Sequence, residues 1–314
     1  MVEIVSTDTK AYNQVNSLGK MPVVSVCVIT YNQEKYIRQC LQSIVDQVTD
    51  FDYDIIVGED CSTDGTRAIV KEFEERYPEV VKPIYQSKNI GGGNYNFLTV
   101  HNAAKGEYIA HVDGDDYFLP NKLQVQKRFL EMNPEFSLVW HRAKIVDSND
   151  TCLTESKNLR AVYDDGVVTI DKLLRYGMAG FHSSLMYRRS ARKTISPYFE
   201  TLDLFYSLEY LCVGKGMLLD EVLGAYRLMP NTLNSIKNLK VRQLAAHHVG
   251  YFYEKYPRLR KDVFLYALTN MLIDLKHRRS TYQDFSHLAR RSFCWISPQE
   301  LLNHLKCLEN FRDM

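Results

Sequence analysis

Three carboxylates stand within four residues at Asp113-Gly114-Asp115-Asp116, directly after the apolar run Tyr108-Ile109-Ala110-His111-Val112. Acidic groups that close repel one another. A divalent cation with a preference for oxygen ligands relieves the repulsion and leaves coordination sites for phosphate oxygens. Position matters as much as number, because ligands of open α/β sheets gather beyond the carboxyl ends of the strands. Asp and Gly are also ordinary turn formers, so the tetrapeptide alone reads as a polar turn too. Gly114 is read as giving that turn its backbone freedom.

Two further apolar runs end in polar groups. Residues 23–29 run into Thr30-Tyr31-Asn32, and residues 53–58 into Glu59-Asp60-Cys61-Ser62-Thr63-Asp64-Gly65-Thr66. A carboxylate at Asp60 can accept a nucleobase hydrogen or simply serve the turn. Asp64, ahead of Gly65-Thr66 and a helical pattern, reads as a cap. Gly91-Gly92-Gly93-Asn94 is the most flexible-looking part of the first half and would let backbone approach a ligand. It lacks the spacing of a dinucleotide fingerprint, and no P-loop is present, which disfavours nicotinamide hydride transfer and Walker-type phosphoryl transfer.

The elements that must hold these groups alternate strand and helix from Pro22, the pattern of a layered βαβ domain. Residues 23–29 are rich in β-branched residues and nearly continuous in apolarity, as a strand buried on both faces should be. Helical spacing follows over residues 36–45, then a strand at 53–58, a helix at 67–77 and a strand at 81–85, whose Pro83 argues for a sheet edge. Next come a helix at 97–104, the strand at 107–112, a helix at 121–132 and a strand at 136–145. Residues 147–166 read as a loop. A helix at 170–176, a strand at 183–187, a helix at 204–213 and short β segments at 217–219 and 223–227 follow. From about Leu239 the pattern is helical, and Ser297-Pro298-Gln299-Glu300 is a capping box.

Composition sets the outer bounds. The 314 residues are 45% hydrophobic and 25% charged, and 39 basic against 38 acidic side chains create no global field for nucleic acid. Seven cysteines without a C-x-x-C pair read as reduced thiols. The first twenty residues do not read as a signal peptide, and no run is long enough to span a bilayer. The expectation is a cytoplasmic protein, with peripheral contact at the inner face of a membrane as a further option. Arg258, Arg260, Lys261, Lys276, Arg278, Arg279, Arg290 and Arg291 could make that contact or form a solvated face, and helical apolar spacing over residues 263–275 could serve a homodimer.

Residues 22–32, residues 54–66 and residues 106–116, taken in order, resemble glycosyltransferase family 2 over roughly residues 22 to 230. The resemblance implies the GT-A fold, a Rossmann-like single sheet with flanking helices, plus a C-terminal helical segment. It divides the chain into an extension at 1–21, a GT-A domain at 22–235 (nucleotide-binding half 22–120, acceptor half 121–235) and a helical region at 236–314. It implies metal-dependent, inverting transfer of a sugar from a nucleoside diphosphate donor, a UDP-sugar foremost, to a hydroxyl of a glycan or lipid-linked saccharide, with Mn²⁺ or Mg²⁺.

Carried over by position, Thr30, Tyr31, Asn32, Asp60, Asn94 and Asp113 would bind nucleotide, Tyr31 beside the base and Asp60 hydrogen-bonded to it. Asp115 and Asp116 would hold the metal. The general base falls at Asp203, with Glu200 and Glu209 as fallbacks, and Leu202 departs from the acidic or small residue usual before it. Arg227 in Tyr226-Arg227-Leu228-Met229 would meet the diphosphate, Met229 standing where relatives have histidine, and His182 is a possible acceptor-site residue. Two rival classes stay open: a sugar nucleotidyltransferase, which would want a glycine-rich basic loop where Thr30 to Glu34 stand, and a non-catalytic nucleotide- or glycan-binding scaffold.

Overall fold

The computed structural model describes residues 21–90, 92–160, 162–163, 165–177, 179–193, 199–229 and 238–309. Nearly all of the expected N-terminal extension, together with Gly91, lies outside them. The first half is β1 (Val24–Thr30), α1 (Ile37–Val45), β2 (Tyr53–Glu59), α2 (Thr66–Arg76), β3 (Val81–Tyr85), α3 (Gly92–Ala103), β4 (Tyr108–Asp113) and β5 (Tyr117–Phe118). The second is α4 (Lys122–Met132), β6 (Phe136–Val146), β7 (Cys152–Glu155), β8 (Val167–Val168), α5 (Ile170–Tyr176), β9 (Met186–Arg188), α6 (Asp203–Leu211) and β10 (Lys215–Arg227). Helices α7 (Leu239–Lys255), α8 (Arg260–Lys276), α9 (Tyr282–Arg291) and α10 (Pro298–Glu309) follow.

All ten of these strands join one sheet in the order β3-β2-β1-β4-β9-β6-β10-β5, with β7 on β6 and β8 on β10. The expected single α/β sheet with flanking helices therefore forms, and Pro83 sits on the edge strand β3 as its missing N–H demands. The β1, β2 and β4 strands are parallel, with Thr30 paired to Glu59 and Ile29 to Asp113. Their polar ends therefore meet on one rim. The chain builds outward from β1 through β2 to β3, then returns to the other side of β1 with β4, and ligands lodge at such a switch point.

Alternation along the strands divides the core in two. Val24, Val26 and Val28 face α1, α2 and α4, while Cys27 and Ile109 face the layer of α3, α5 and α6. The same period puts His111 and Asp113 on the α3/α6 side of β4. Helices α7 to α9 extend this second core through Val249, Phe252, Val263, Ala267 and Leu288, so the C-terminal helices share a core with the sheet.

Several expectations shift. Helix α3 starts at Gly92, so the glycine run is in part its first turn. The loop expected at 147–166 contains β7, paired with β6. Residues 183–187 are split between a short 3-10 turn at His182–Ser184 and β9. The two segments expected at 217–227 are one strand, whose pairing with β6 is irregular between Leu218 and Gly224. The capping box is formed: Ser297 N–H donates to Glu300 Oε2 (3.0 Å) and Glu300 N–H to Ser297 Oγ (3.2 Å). Among the described residues no helix is long and apolar enough to cross a membrane.

Candidate active site

The rim is laced together before any ligand is considered. Asn32, at φ 51°, accepts from Thr63 N–H through its side chain (2.8 Å) and donates its backbone N–H to Ser62 Oγ (3.0 Å). Asp64 accepts from the N–H groups of Thr66 (3.0 Å) and Glu34 (3.1 Å), which makes it a structural acid at the start of α2, as its position suggested. Asp60 is buried, accepts from Ile90 N–H (2.9 Å), and so ties the segment before α3 to the rim. Tyr31 is 44% exposed beside it, an open aromatic surface at the mouth.

Gly114 is needed for space. Its φ is not left-handed, but a Cβ there would lie 2.5 Å from Gln33 Oε1 and 2.9 Å from Thr30 Cβ. The turn after β4 is thus pressed against the end of β1, where Gly114 N–H donates to Ile29 O (2.9 Å). This replaces the backbone-freedom reading.

The three aspartates part company here. Asp116 is 2% exposed; its Oδ1 accepts from Arg227 N–H (2.7 Å) and its Oδ2 from the Ser183 hydroxyl. Burial, then Asp115 and Asp113, push its carboxyl well above the usual range. Each oxygen accepts from one protein donor, so Asp116 ties the loop to β10 and to the His182–Ser184 turn, and as a carboxylate it keeps lone pairs for the metal expected there. Asp115 differs. Burial and the neighbouring Asp113 raise its carboxyl to about 6, against weaker lowering by its own amide, Arg227 and Gln33. A cation-seeking carboxylate has this character.

Asp113 is half-buried and accepts from His111 Nε2 (3.2 Å), while its own N–H donates to Ser183 Oγ (3.1 Å). Burial would raise its carboxyl, but the hydrogen bond and charge of His111, with His182 and Ser183, bring it below the usual value. Behind His111 lies a buried chain. His101 Nε2 meets His111 Nδ1 at 3.0 Å, and His101 Nδ1 meets the Tyr187 hydroxyl at 2.7 Å. The chain from Tyr187 through His101 and His111 ends on the acceptor-only Asp113, to which His111 donates. Burial pushes His101 well below the usual imidazole range, in keeping with a neutral relay. The sequence reading missed His101, His111, Ser183 and Tyr187. A signal existed for His111, since a polar side chain inside a doubly buried strand requires partners.

Arg227 is held on every side by the protein. Its guanidinium is fully buried, lies over the Tyr36 ring (4.4 Å), and donates to Asp115 O (2.8 Å), Asp147 O (2.9 Å), Gln39 Oε1 (2.9 Å) and Asp150 Oδ1 (2.6 Å). It clamps the aspartate loop from beneath. In this arrangement Arg227 acts on the aspartate loop, and the diphosphate contact expected of it belongs to the proposed function.

Asp203 opens α6, with Leu202 extended before it, and its Oδ1 accepts from Leu204 N–H (2.8 Å). Burial raises its carboxyl above the usual value, Leu204 N–H counteracts, and the charge of Asp113 raises it further. Asp203 and Asp113 therefore share one electrostatic neighbourhood although ninety positions separate them. Asn94 enters from the nucleotide half, accepting from the Thr201 hydroxyl two residues before Asp203. The fallback bases are engaged elsewhere: Glu200 pairs with Lys240 (2.8 Å), and Glu209 accepts from Lys193 N–H (3.0 Å). His182 stacks on His111 (3.9 Å between centroids); burial, then the charge of His111, lowers it to about 3, and its Nε2 is buried without a hydrogen bond.

A mixed sheet with parallel strands at its switch point, acids at their carboxyl ends and helices on both faces is an open α/β architecture of the kind that lodges ligands at that rim. The family model described as Glycosyl transferase family 2 matches residues 25–201, more than half of the chain, and the chain belongs to that family. An uncharacterized protein of Mycobacterium tuberculosis (strain ATCC 25618 / H37Rv) is 32% identical over 205 residues, 65% of this chain and 58% of its own length. The chain thus spans less than two thirds of that relative. The putative teichuronic acid biosynthesis glycosyltransferase TuaG of Bacillus subtilis (strain 168) is 28% identical over 219 residues, 69% of this chain and 83% of that protein. In fold, the chain is similar to S. aureus TarS 1–349 in complex with UDP-GlcNAc (TM-score 0.55, 19% identity, 92% of this chain and 91% of that one). It is equally similar to the mannosyltransferase PcManGT from Pyrobaculum calidifontis in complex with GDP-Man and Mn²⁺ (TM-score 0.55, 17% identity, 94% and 82% covered). The fold is GT-A, as the resemblance implied.

Proposed function

We propose that the chain transfers a sugar, with inversion, from a nucleoside diphosphate donor to a hydroxyl of a saccharide acceptor, a UDP-sugar being the first donor to test. The observation that carries this reading is that the strand ends gather Tyr31, Asp60, Asp113 and Asp115 on one rim, while Asp203, at the start of α6, feels the charge of Asp113. Tyr31 offers its ring to the base, Asp60 accepts from it, and Asp113, held by His111, accepts from the ribose. Asp203 takes the proton of the acceptor hydroxyl as that oxygen bonds to the anomeric carbon. The bond from that carbon to the donor's phosphate oxygen breaks, and its electron pair leaves with the diphosphate.

The donor set suits a divalent cation. Asp115 is a carboxylate destabilised by burial and by Asp113, and oxygen-preferring Mn²⁺ or Mg²⁺ relieves that destabilisation. When bound, such a cation supplies charge neutralisation for the departing diphosphate. Asp115 and Asp116 would hold it, Asp116 also fixing the loop through Ser183 and Arg227, and Arg227 is the cationic side chain proposed to meet the diphosphate. The division at residue 235 is proposed from the sequence pattern, and α7 to α9 pack into the same core as the sheet.

The test is a panel of nucleoside diphosphate sugars with Mn²⁺, reading nucleoside diphosphate release with and without saccharide acceptors. Acceptor-stimulated release with the product anomer inverted is expected. Pyrophosphate formation from a nucleoside triphosphate and a sugar phosphate would instead make it a nucleotidyltransferase. UDP binding without turnover on any donor would leave a scaffold.

A further inference from the structure

A cavity of about 380 Å³ opens beside Asp203 and His182 and runs under the acceptor half to the C-terminal helices. The volume falls within the range of small-molecule sites, roughly 300–1,000 Å³. Its walls are mainly apolar: Leu159, Leu204 and Leu218 on the sheet side, and Val241, Tyr266 and Phe285 from α7, α8 and α9. The helical wall lies wholly outside residues 25–201, the stretch that the family shares.

The polar groups of this cavity are unevenly disposed. Arg142 already pairs with Glu155 (3.0 Å) and Asp220 (3.3 Å), and Arg242 with Asp274 (2.8 Å) and the Asn270 side chain (3.1 Å). Each guanidinium is thus tied to protein carboxylates, Asp274 being shared with Arg279 (3.3 Å), and Lys157 also lines the cavity. At the other end stand Asp203, with one oxygen on Leu204 N–H, and His182, whose buried Nε2 has no partner. One end thus suits a sugar hydroxyl, and the remainder suits hydrocarbon.

We infer that this cavity is the acceptor pocket and that it takes a saccharide carrying an apolar aglycone, the sugar hydroxyl at Asp203 and His182 and the aglycone against Val241, Tyr266 and Phe285. The inference rests on the proposed transferase reading, since Asp203 defines the reacting end. It adds the acceptor class and makes the C-terminal helices part of the acceptor site.

The test compares methyl and octyl glycosides of the same sugars as acceptors for the full chain, with the octyl compounds kept below their micelle concentration. An octyl KM at least tenfold below the methyl KM is expected. In Ala245→Phe, which places an aromatic ring in the cavity from α7, that ratio should fall to near one. Val241→Phe gives the same readout from another turn of the helix, should the first variant not fold. Calorimetric binding of octyl against methyl glycoside, without donor, reads the cavity independently of turnover. Transfer with equal methyl and octyl KM, or octyl binding unaffected by both substitutions, overturns the acceptor pocket and leaves the transferase standing. Octyl binding that Ala245→Phe weakens, with no donor turned over, supports the pocket and sinks the transferase instead.

Discussion

The strand-end rim and the cavity beside Asp203 are built on opposite plans. At the rim, regular parallel strands deliver polar residues to fixed heights, and most are tied down by the protein: Asn32 to Thr63, Asp64 to Thr66, Asp116 to Ser183 and Arg227. At the pocket the pairing of β10 with β6 is irregular, helices from beyond the shared family stretch form the wall, and His182 Nε2 is left without a partner. A rigid polar frame suits a ligand part that recurs from reaction to reaction, as a nucleotide does. An adaptable apolar wall suits the part that varies. The physical basis is that an anchored polar network costs little to reorganise on binding, whereas hydrophobic contact constrains shape without fixing direction.

If Asp203 is the one acid of the acceptor side that acts chemically, Asp203→Asn should lower transfer by about 10²–10⁴-fold, the usual contribution of a general base, with UDP affinity kept. Its carboxyl is raised in the folded state, so its favourable contribution is present at low pH and is lost as pH rises through the folded pKa. The Asn variant should therefore melt no lower than the parent at pH 7, with any gain shrinking toward pH 4. For the same reason the acid limb of kcat/KM should lie above the ordinary carboxylate range, activity falling as pH drops. Retained transfer in this variant would move the base elsewhere.

On the donor side the contrast sharpens within a single tetrapeptide. Asp115→Asn should reduce Mn²⁺-dependent donor cleavage by roughly 10²-fold with little change in melting, because that carboxylate is proposed to hold a cation. Asp116→Asn should unsettle the loop and lower both stability and activity, because its partners are Ser183 and Arg227. Equal effects on melting would erase the distinction drawn between the two.

Replacing the buried clamp, Arg227→Met, leaves Asp115 O, Asp147 O and Gln39 Oε1 without its donors and, at roughly 1–3 kcal/mol for each orphaned acceptor, should cost about 3–5 kcal/mol of stability by urea titration. A smaller loss, about 1–3 kcal/mol, is expected for Gly114→Ala, whose Cβ would press on Gln33 and Thr30. The smallest effect concerns the relay. His111→Gln can still donate to Asp113 but not join His101, and should raise the UDP-sugar KM a few-fold while kcat changes less.

Most of the frame could be read from residue patterns. Apolar runs ending in Thr30, Glu59-Asp60 and Asp113 marked the parallel strands, Pro83 marked an edge, and Ser297 with Glu300 marked a helix start. Each is a local signal carried by neighbours in the chain. The irregular second half was harder to read. β10 looked like two segments because its ladder slips near Val222, and β7 was hidden in a polar stretch because its four residues are exposed and gain order only by pairing with β6.

By itself, then, the sequence determined the sheet, the acids at the strand ends and the family. Tertiary structure alone decided how each acid is held. Asp113, Asp115 and Asp116 are near-identical in sequence context. They diverge through partners far along the chain: Asp116 through Ser183 and Arg227, Asp113 through His111 and the chain of His101 and Tyr187. A carboxylate's chemistry is set by what donates to it and how much water it keeps, and both depend on contacts that spacing along the chain does not encode.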